Sequence, residues 1–275
     1  MHLNRKKINQ PKLKIKSRSK KKQLKPKFSK KDIKPIPKIG KKKKSKIKVR
    51  TVYVENDARA EKNFYKPLSK WENCLNGHTA FILGNGPSIS SQKLKLLDNY
   101  FTIGINRIFY IYNPVILLWQ DRELWNSEKR RLTKQSSIKI CNRSFNTKKL
   151  FLDFKLKMGA YKFLRKTDVL CGTGNTGALA AQLAVALGCS NIVLLGTDCK
   201  YKDGKTDFYG KNKDHKPYTL KMCKGAMEWL KKECPVPIYN CSDNNLWKKQ
   251  DLSKVINHLN PPKSGLKYCK ELFLK

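Results

Sequence analysis

Acidic residues are scarce in this chain of 275 residues, where 20 Asp and Glu stand against 61 Lys and Arg and the net charge is +41. Residues 1–50 hold 23 Lys and Arg and a single acid, Asp32, so this segment alone carries +22. A cation of this density binds nucleic acid or anionic lipid through counterion release, whatever its fold. We therefore expect residues 1–50 to bind a polyanion, with nucleic acid as the favoured partner. For the remaining charge of +19, a composition biased towards Lys, Asn and Ile is an equally good explanation.

Long apolar runs and paired cysteine motifs are also missing. The longest apolar stretch, residues 108–119, contains Asn113 and Pro114 and is too short to span a bilayer. The nine cysteines occur singly and lack C-x-x-C spacing, which is typical of reduced, buried thiols rather than of disulfides or a zinc site. The Lys-rich start has no apolar core of the kind found in signal peptides. We expect a cytoplasmic protein without a transmembrane segment.

Apolar residues are too sparse in residues 1–50 to build a core, prolines recur there, and the like charges repel one another. The sequence therefore predicts a disordered Lys-rich arm over residues 1–50 and one folded domain over residues 51–275. Phe28 is the single aromatic residue of the arm, so recognition of bases by stacking is not expected there.

The folded part alternates short apolar segments with segments of helical spacing. Strands are predicted at residues 78–84, 100–106, 114–120, 137–142, 168–172, 191–196 and 236–242. Helices are predicted at residues 88–99, 176–187 and 218–232. Short buried strands that alternate with helices indicate a parallel sheet covered on both faces. The fold class is therefore α/β, with a single doubly wound, mostly parallel, Rossmann-like sheet.

Ligands of such sheets bind beyond the carboxyl ends of the strands, where the first predicted strand runs into the turn GNGPS at residues 84–88. This turn differs from a dinucleotide fingerprint, because Ile89 replaces the third glycine and Pro87 lacks an N–H group. The second strand ends in Asn106, where an NAD enzyme would place an acid. The pattern argues against NAD, and the amides of Asn85 and Asn106 are candidates for binding a ribose, a phosphate or a base edge. A tight connection without a ligand is the alternative.

The segment GTGNTG at residues 172–177 precedes an Ala-rich helix. Its glycines permit close backbone approach, and the helix N-terminus attracts negative charge. The segment lacks the Lys of a P-loop, which excludes an ATPase of the Walker type. A flexible turn between strand and helix is the alternative.

A polar loop with two tyrosines and a histidine follows the strand at 191–196. His215 is the one histidine placed for catalysis, because an imidazole can accept a proton from an attacking hydroxyl near neutral pH. Tyr201 and Tyr209 could donate to a leaving phosphate. The alternative is that the histidine is solvated and that the tyrosines pack.

The order of these motifs resembles bacterial sialyltransferases of glycosyltransferase family 42. The resemblance covers about residues 78–245 and is carried by FILGNGPS, TIGIN, NTGALAAQLAVALGCSNIVLLGTD, a Tyr-rich loop with a His, and AMEWLKK. The same order resembles the related domain of archaeal 6-hydroxymethylpterin pyrophosphokinase, which also occurs in motility accessory factors and phage proteins. Each motif alone is weak, and their combination is fairly specific for the superfamily.

The resemblance implies a GT-A variant of the Rossmann-like fold and roles for individual residues. Asn85 and Asn106 match asparagines that hold the donor nucleotide. Thr176 and Gly177 match a Ser-Gly pair beside the donor sugar.

The resemblance also implies chemistry for the polar loop. Tyr201 and Tyr209 match tyrosines that stabilise the departing phosphate. His215 matches the histidine that acts as general base.

One departure from the sialyltransferases concerns the residues after the third predicted strand. This chain has Gln120-Asp121 where they carry an Asn that faces the carboxylate of sialic acid. A carboxylate there would repel an acidic sugar, so sialic acid is disfavoured as the donor sugar. Asp121 would instead hold a sugar hydroxyl, or bind Mg²⁺ together with Glu123 as in D-x-D glycosyltransferases. The sequence implies no cofactor firmly and leaves Mg²⁺ open.

The sequence thus predicts a transferase, a glycosyltransferase that moves a sugar from a nucleotide sugar to a hydroxyl of a glycan or of a hydroxylated DNA base. Two alternatives are a pyrophosphokinase of the hydroxymethylpterin type, which uses ATP and Mg²⁺, and a nucleic-acid-binding protein on an inactive transferase scaffold. The candidate catalytic residues are His215, Tyr201 and Tyr209. The candidate residues for binding nucleotide and sugar are Gly84, Asn85, Gly86, Ser88, Asn106, Asp121, Gly174, Asn175, Thr176, Gly177 and Asp198.

Overall fold

A computed structural model describes residues 63–146, 149–158, 162–210, 212 and 216–274. The predicted arm, the predicted boundary at residue 50 and the candidate base His215 lie outside these residues.

The described residues contain one sheet of eight strands, all of them parallel. The strands are β1 Thr79–Leu83, β2 Thr102–Ile105, β3 Ile116–Trp119, β4 Ile138–Asn142, β5 Leu152–Lys157, β6 Val169–Cys171, β7 Asn191–Leu195 and β8 Ile238–Asn240. Their order across the sheet is β6-β5-β4-β3-β2-β1-β7-β8. This arrangement confirms the predicted α/β class and parallel sheet. Strand β5 was not predicted, because its segment LDFKLK lacks a continuous apolar run; it lies next to the sheet edge, where burial is incomplete.

Helices flank the sheet in the described part of the chain. They are α1 Arg122–Leu132, α2 Thr176–Ala186, α3 Pro217–Glu233, α4 Leu252–Leu259 and α5 Leu266–Phe273. Helix α2 is buried at every position, and it packs on β1, β2 and β3. Its run of small residues permits this close packing. Gly188, with φ of +92°, follows its C-terminus, a position where glycine is common because it tolerates this conformation.

The helix predicted at residues 88–99 is wrong. The structure has two short 3₁₀ turns there, Pro87–Ser91 and Leu94–Leu97. The Ser91 hydroxyl donates to the Ser88 carbonyl at 2.9 Å, and Gln92 is extended. Serine side chains that bond to nearby backbone in this way compete with helical hydrogen bonds.

The strand order creates a topological switch point between β1 and β7. The chain leaves β1 towards β2 on one side and leaves β7 towards β8 on the other. Ligands of open parallel sheets bind at such a point, outside the carboxyl ends of the strands. The loops after β1 and β7 meet there.

Opposite ends of the described chain pack against each other, because Trp71 stacks on Phe273 of α5 with 3.8 Å between ring centroids. All nine cysteines are free, and five of them are buried. In the described part of the chain, every helix is too short or too polar to cross a bilayer.

Candidate functional site

A cavity of about 530 Å³ opens at the carboxyl edge of the sheet, beside the switch point. The loops after β1, β2, β3 and β7 form its walls together with the first turns of α2 and α3. It brings together most of the predicted site residues, namely Gly84, Asn85, Gly86, Asn106, Asp121, Gly174, Asn175, Thr176, Asp198 and Tyr209. Ser88, Gly177 and Tyr201 are not among the lining residues of the cavity.

The glycines of the turn after β1 are needed for contact with the turn after β7. The Gly84 and Gly86 amides donate to the carbonyls of Leu195 and Gly196, both at 2.7 Å. A Cβ at Gly84 would overlap the Gly196 carbonyl, and one at Gly86 would lie 2.6 Å from an Asp198 oxygen. The close approach that Gly84 and Gly86 permit is therefore made to the turn after β7.

Asp198 holds three loops together. Its carboxylate accepts hydrogen bonds from the Ser88 amide at 2.8 Å, the Ser88 hydroxyl at 2.5 Å and the Asp243 amide at 3.0 Å. Asp198 and Ser88 are both buried. This network gives both residues a structural task beneath the cavity, and their predicted contact with a ligand stays a prediction.

Two asparagine side chains present buried amide oxygens that have no hydrogen-bond partner among the described residues, Asn85 Oδ1 and Asn106 Oδ1. The Asn85 amide group is oriented by its Nδ2, which donates to the Ile105 carbonyl at 3.2 Å. Asn106 has φ of +51°, a conformation that asparagine tolerates better than most residues. A buried acceptor without a donor costs free energy, so both oxygens suit a ligand that carries hydroxyl or amino hydrogens.

The N-terminus of α2 faces the cavity. Asn175 caps the helix, because its Oδ1 accepts from the Ala178 amide at 3.1 Å. Thr176 Oγ1 accepts from Gln120 Nε2 at 3.0 Å, which ties the helix start to the loop after β3. Helix geometry leaves the Thr176 and Gly177 amides without an intrahelical acceptor. The end of the helix is therefore suited to an anionic group.

Tyr209 lines the cavity and is about one third exposed. Burial, together with the charge of Asp207, raises the pKa of Tyr209 to about 12. The phenol is therefore a neutral O–H donor at physiological pH. Tyr201 is 40% exposed, and its predicted role in stabilising a phosphate stays a prediction.

Arg107 is a lining residue that sequence reasoning did not select. Its guanidinium lies 5.7 Å from the centroid of the Tyr209 ring. Nε lies 3.4 Å from Glu128 Oε1, and Nη2 donates to Ser127 Oγ at 3.2 Å. The signal available in the sequence was its position directly after Asn106, at the end of β2.

The charges that line the cavity contrast with the basic character of the chain. Asp121, Glu123, Asp198 and Asp207 all line it, and Arg107 is the only Lys or Arg that the described residues add to its lining. In the described residues, no group of three or more His, Cys, Asp or Glu side chains forms a metal site. Asp121 and Glu123 still fit Mg²⁺, which proteins often bind through one or two carboxylates together with substrate phosphates.

Comparisons with known proteins found similar solved structures. No protein-family model and no curated protein matches this chain. The sialyltransferase CstII from Campylobacter jejuni in complex with cytidine-5'-monophosphate is 16% identical, with a TM-score of 0.36, over 62% of this chain and 82% of that chain. The same enzyme with CMP-3FNeuAc is 15% identical, with a TM-score of 0.35, over 69% and 87%. An apo α-2,3-sialyltransferase from Campylobacter jejuni is 18% identical, with a TM-score of 0.36, over 68% and 82%.

At these identities and TM-scores the likeness is distant. The function proposed below depends on the residues and motifs of this chain.

Proposed function

We propose that this protein is a glycosyltransferase that moves a sugar from a nucleotide-sugar donor to a hydroxyl group of an acceptor. The observation that carries the proposal is the convergence on one cavity, at the switch point, of two asparagines with unpartnered amide oxygens, a helix N-terminus and a neutral tyrosine. The resemblance of the motif order to glycosyltransferase family 42 agrees with this convergence.

Asn85 and Asn106 bind the nucleoside of the donor. Their free atoms are oxygens, which accept hydrogen bonds, so the matching ligand groups are ribose hydroxyls or an exocyclic amine of the base. A phosphate without hydrogen cannot satisfy them. The phosphate is placed instead near the N-terminus of α2 and the hydroxyl of Tyr209, which donate hydrogen bonds.

In the proposed reaction the acceptor oxygen attacks the anomeric carbon of the donor sugar. The bond between that carbon and the phosphate oxygen breaks, and the nucleotide leaves with the electron pair. His215 accepts the proton of the acceptor hydroxyl, a role taken from the resemblance to family 42. Tyr209 and the α2 N-terminus stabilise the negative charge that develops on the leaving phosphate.

A second candidate function is pyrophosphate transfer from ATP–Mg²⁺ to a pterin hydroxymethyl group. It is favoured by the presence of Asp121 and Glu123 at the cavity, where they could share a magnesium ion with the phosphates. The two functions differ in the bond that is cleaved and in the nucleotide that is bound.

Donor turnover tests the proposal. Nucleotide sugars of the CMP, UDP and GDP series are incubated with the full chain, and release of CMP, UDP or GDP is followed by chromatography with and without Mg²⁺. We expect one series to be turned over, at least by slow hydrolysis to water. Formation of AMP from ATP–Mg²⁺ with a pterin alcohol, without turnover of any nucleotide sugar, would establish the second candidate instead.

A variant pair tests the proposed base. His215→Ala is expected to lower sugar transfer by about 100-fold or more, which is a typical contribution of general base catalysis, while donor binding is retained. His78→Ala is the matched control, because His78 precedes β1 and therefore lies at the opposite edge of the sheet. Equal activity of the two variants would remove His215 from the mechanism.

A further inference from the structure

The cavity poses a problem of charge for the proposed donor. Four acidic residues line it, and a phosphate brought among them would be repelled. Arg107 is the only Lys or Arg among the described residues that line the cavity. In a chain with 61 Lys and Arg, Arg107 is thus the one basic side chain that the described residues bring to the cavity.

Two residues of α1 and one aromatic ring hold the Arg107 guanidinium in place. Glu128 and Ser127 of α1 fix Nε and Nη2, and the ring of Tyr209 lies against the planar group. A guanidinium has five N–H donors, so bonds to Glu128, Ser127 and Tyr209 leave donors for a ligand. Although burial acts against the charged form, hydrogen bonds to Tyr209 and Glu128 raise the pKa of Arg107.

Glu128 does not cancel the positive charge of Arg107, because its carboxylate also pairs with Arg131. Arg131 Nη1 lies 3.4 Å from Glu128 Oε2, and the Tyr110 hydroxyl donates to Oε1 of the same carboxylate. Arg131 stacks over Tyr110 at 4.9 Å, and Tyr110 packs edge-on to Tyr209. The cluster of Arg107, Tyr110, Glu128, Arg131 and Tyr209 therefore holds two guanidinium groups for one carboxylate.

We propose that Arg107 is the residue that binds the phosphate of the nucleotide donor and neutralises it in the cavity, with Tyr209 as the second donor to the same phosphate. This role rests on the proposed function. Arg107 offsets the repulsion between the acidic residues of the cavity and the anionic donor. Because the leaving phosphate gains negative charge as the glycosidic bond breaks, Arg107 stabilises the transition state more than the bound donor.

The test compares each nucleotide with its own nucleoside by isothermal titration calorimetry on the full chain. The probes are cytidine and CMP, uridine and UDP, and guanosine and GDP, all at one fixed moderate salt concentration. Wild type is compared with Arg107→Gln and Arg107→Lys. Arg143→Gln is the matched control, because Arg143 carries the same charge, pairs with Asp153 and does not line the cavity.

We expect Arg107→Gln to weaken binding of the nucleotide about 10- to 100-fold, as a lost charge-assisted hydrogen bond does, and to leave binding of the nucleoside unchanged. Arg107→Lys retains part of the affinity, since a Lys keeps the charge and loses the planar fork. Arg143→Gln matches the wild type.

Two results would overturn the inference alone, provided that the wild type binds nucleotide. One is an unchanged preference for nucleotide over nucleoside in Arg107→Gln. The other is an equal loss of nucleoside and nucleotide, which would make Arg107 a structural support of the cavity. If the wild type binds none of the nucleotides, the proposed function fails, and this inference fails with it.

Discussion

At the scale of single residues, the sequence could indicate Asn85 and Asn106 but not Arg107. Asn106 ends one predicted strand and Asn85 directly follows another, and a parallel sheet brings such positions to one edge. Arg107 is one of 61 Lys and Arg, so its type carries no signal in this chain. Only the packing of α1 against the loop after β2 shows that this guanidinium reaches the cavity. The network beneath the cavity, centred on Asp198, was equally hidden, because it joins residues 110 positions apart.

A pH dependence follows from Asp243, whose amide donates to Asp198. Hydrogen bonds from Lys202 and Lys249 lower the pKa of the Asp243 carboxyl from 3.8 to about 2. Because the folded-state pKa is below the unfolded one, this stabilisation is complete above about pH 4 and is lost as the pH falls towards 2. We expect the difference in thermal midpoint between wild type and Asp243→Asn to shrink over that interval.

The measurement is a series of thermal unfolding curves between pH 5 and pH 2 on both proteins. Both lysines are about half exposed, so added salt should reduce the difference at pH 5 as well. A difference that stays constant from pH 5 to pH 2 would contradict the assigned ion pairs.

At the scale of elements, apolar strands were predictable and the connection after β1 was not. Seven of the eight strands lie within predicted segments, because buried parallel strands are continuously apolar. Residues 88–99 have helical spacing, yet Ser88 is bound to Asp198 in a distant loop and Pro87 begins a 3₁₀ turn. Tertiary contacts therefore override the local pattern in this connection.

The turns after β1 and β7 should not tolerate a side chain at Gly86. A Cβ there would lie 2.6 Å from an Asp198 oxygen and 2.8 Å from the Gly196 carbonyl oxygen, and neither group can move freely. We expect Gly86→Ala to lower the free energy of unfolding by about 1–3 kcal/mol, the usual cost of overpacking. Urea unfolding monitored by tryptophan fluorescence measures it.

Gly225→Ala is the control for this prediction. Gly225 lies in α3 and is exposed, and an added Cβ would meet nothing within 4 Å. Alanine in a helix is favoured over glycine by about 1 kcal/mol, so this variant should be more stable than wild type. Equal effects of the two variants would show that the turn is looser than described.

At the scale of the whole molecule, charge is divided between a basic N-terminal segment and an acidic cavity. Residues 1–50 carry +22, whereas the described residues line the cavity with four acidic side chains and one cation. A Lys-rich segment suits the binding of any polyanion, whereas we propose that the cavity binds one small ligand. We propose that the segment tethers the transferase to a polyanion. A nucleic acid with hydroxylated bases is one such polyanion, and it would also be the acceptor.

Deletion of residues 1–50 tests this division. We expect the truncated chain to lose most of its affinity for a double-stranded DNA oligonucleotide, together with most of the salt dependence, because the counterions released by the segment set that dependence. Nucleotide binding should persist. The measurement is fluorescence anisotropy with labelled DNA at several salt concentrations. Unchanged DNA binding by the truncated chain would place the polyanion site on the folded part instead.

The central claim is that the cavity beside β1 and β7 binds a nucleotide through the oxygens of Asn85 and Asn106. The most direct measurement is the shift in thermal midpoint caused by CMP, UDP, GDP and ATP, each with and without Mg²⁺. It is made on wild type, on the double variant Asn85→Ala/Asn106→Ala, and on Asn257→Ala as control, because Asn257 is exposed on α4 away from the cavity.

A ligand at 100 times its Kd stabilises the folded state by about 2.7 kcal/mol, which a thermal shift readily detects. We predict such a shift for at least one of CMP, UDP and GDP in wild type and in Asn257→Ala. In the double variant the shift should be lost, since each missing polar contact costs about 1–3 kcal/mol. A shift with ATP–Mg²⁺ alone, or a full shift that persists in the double variant, would contradict the account.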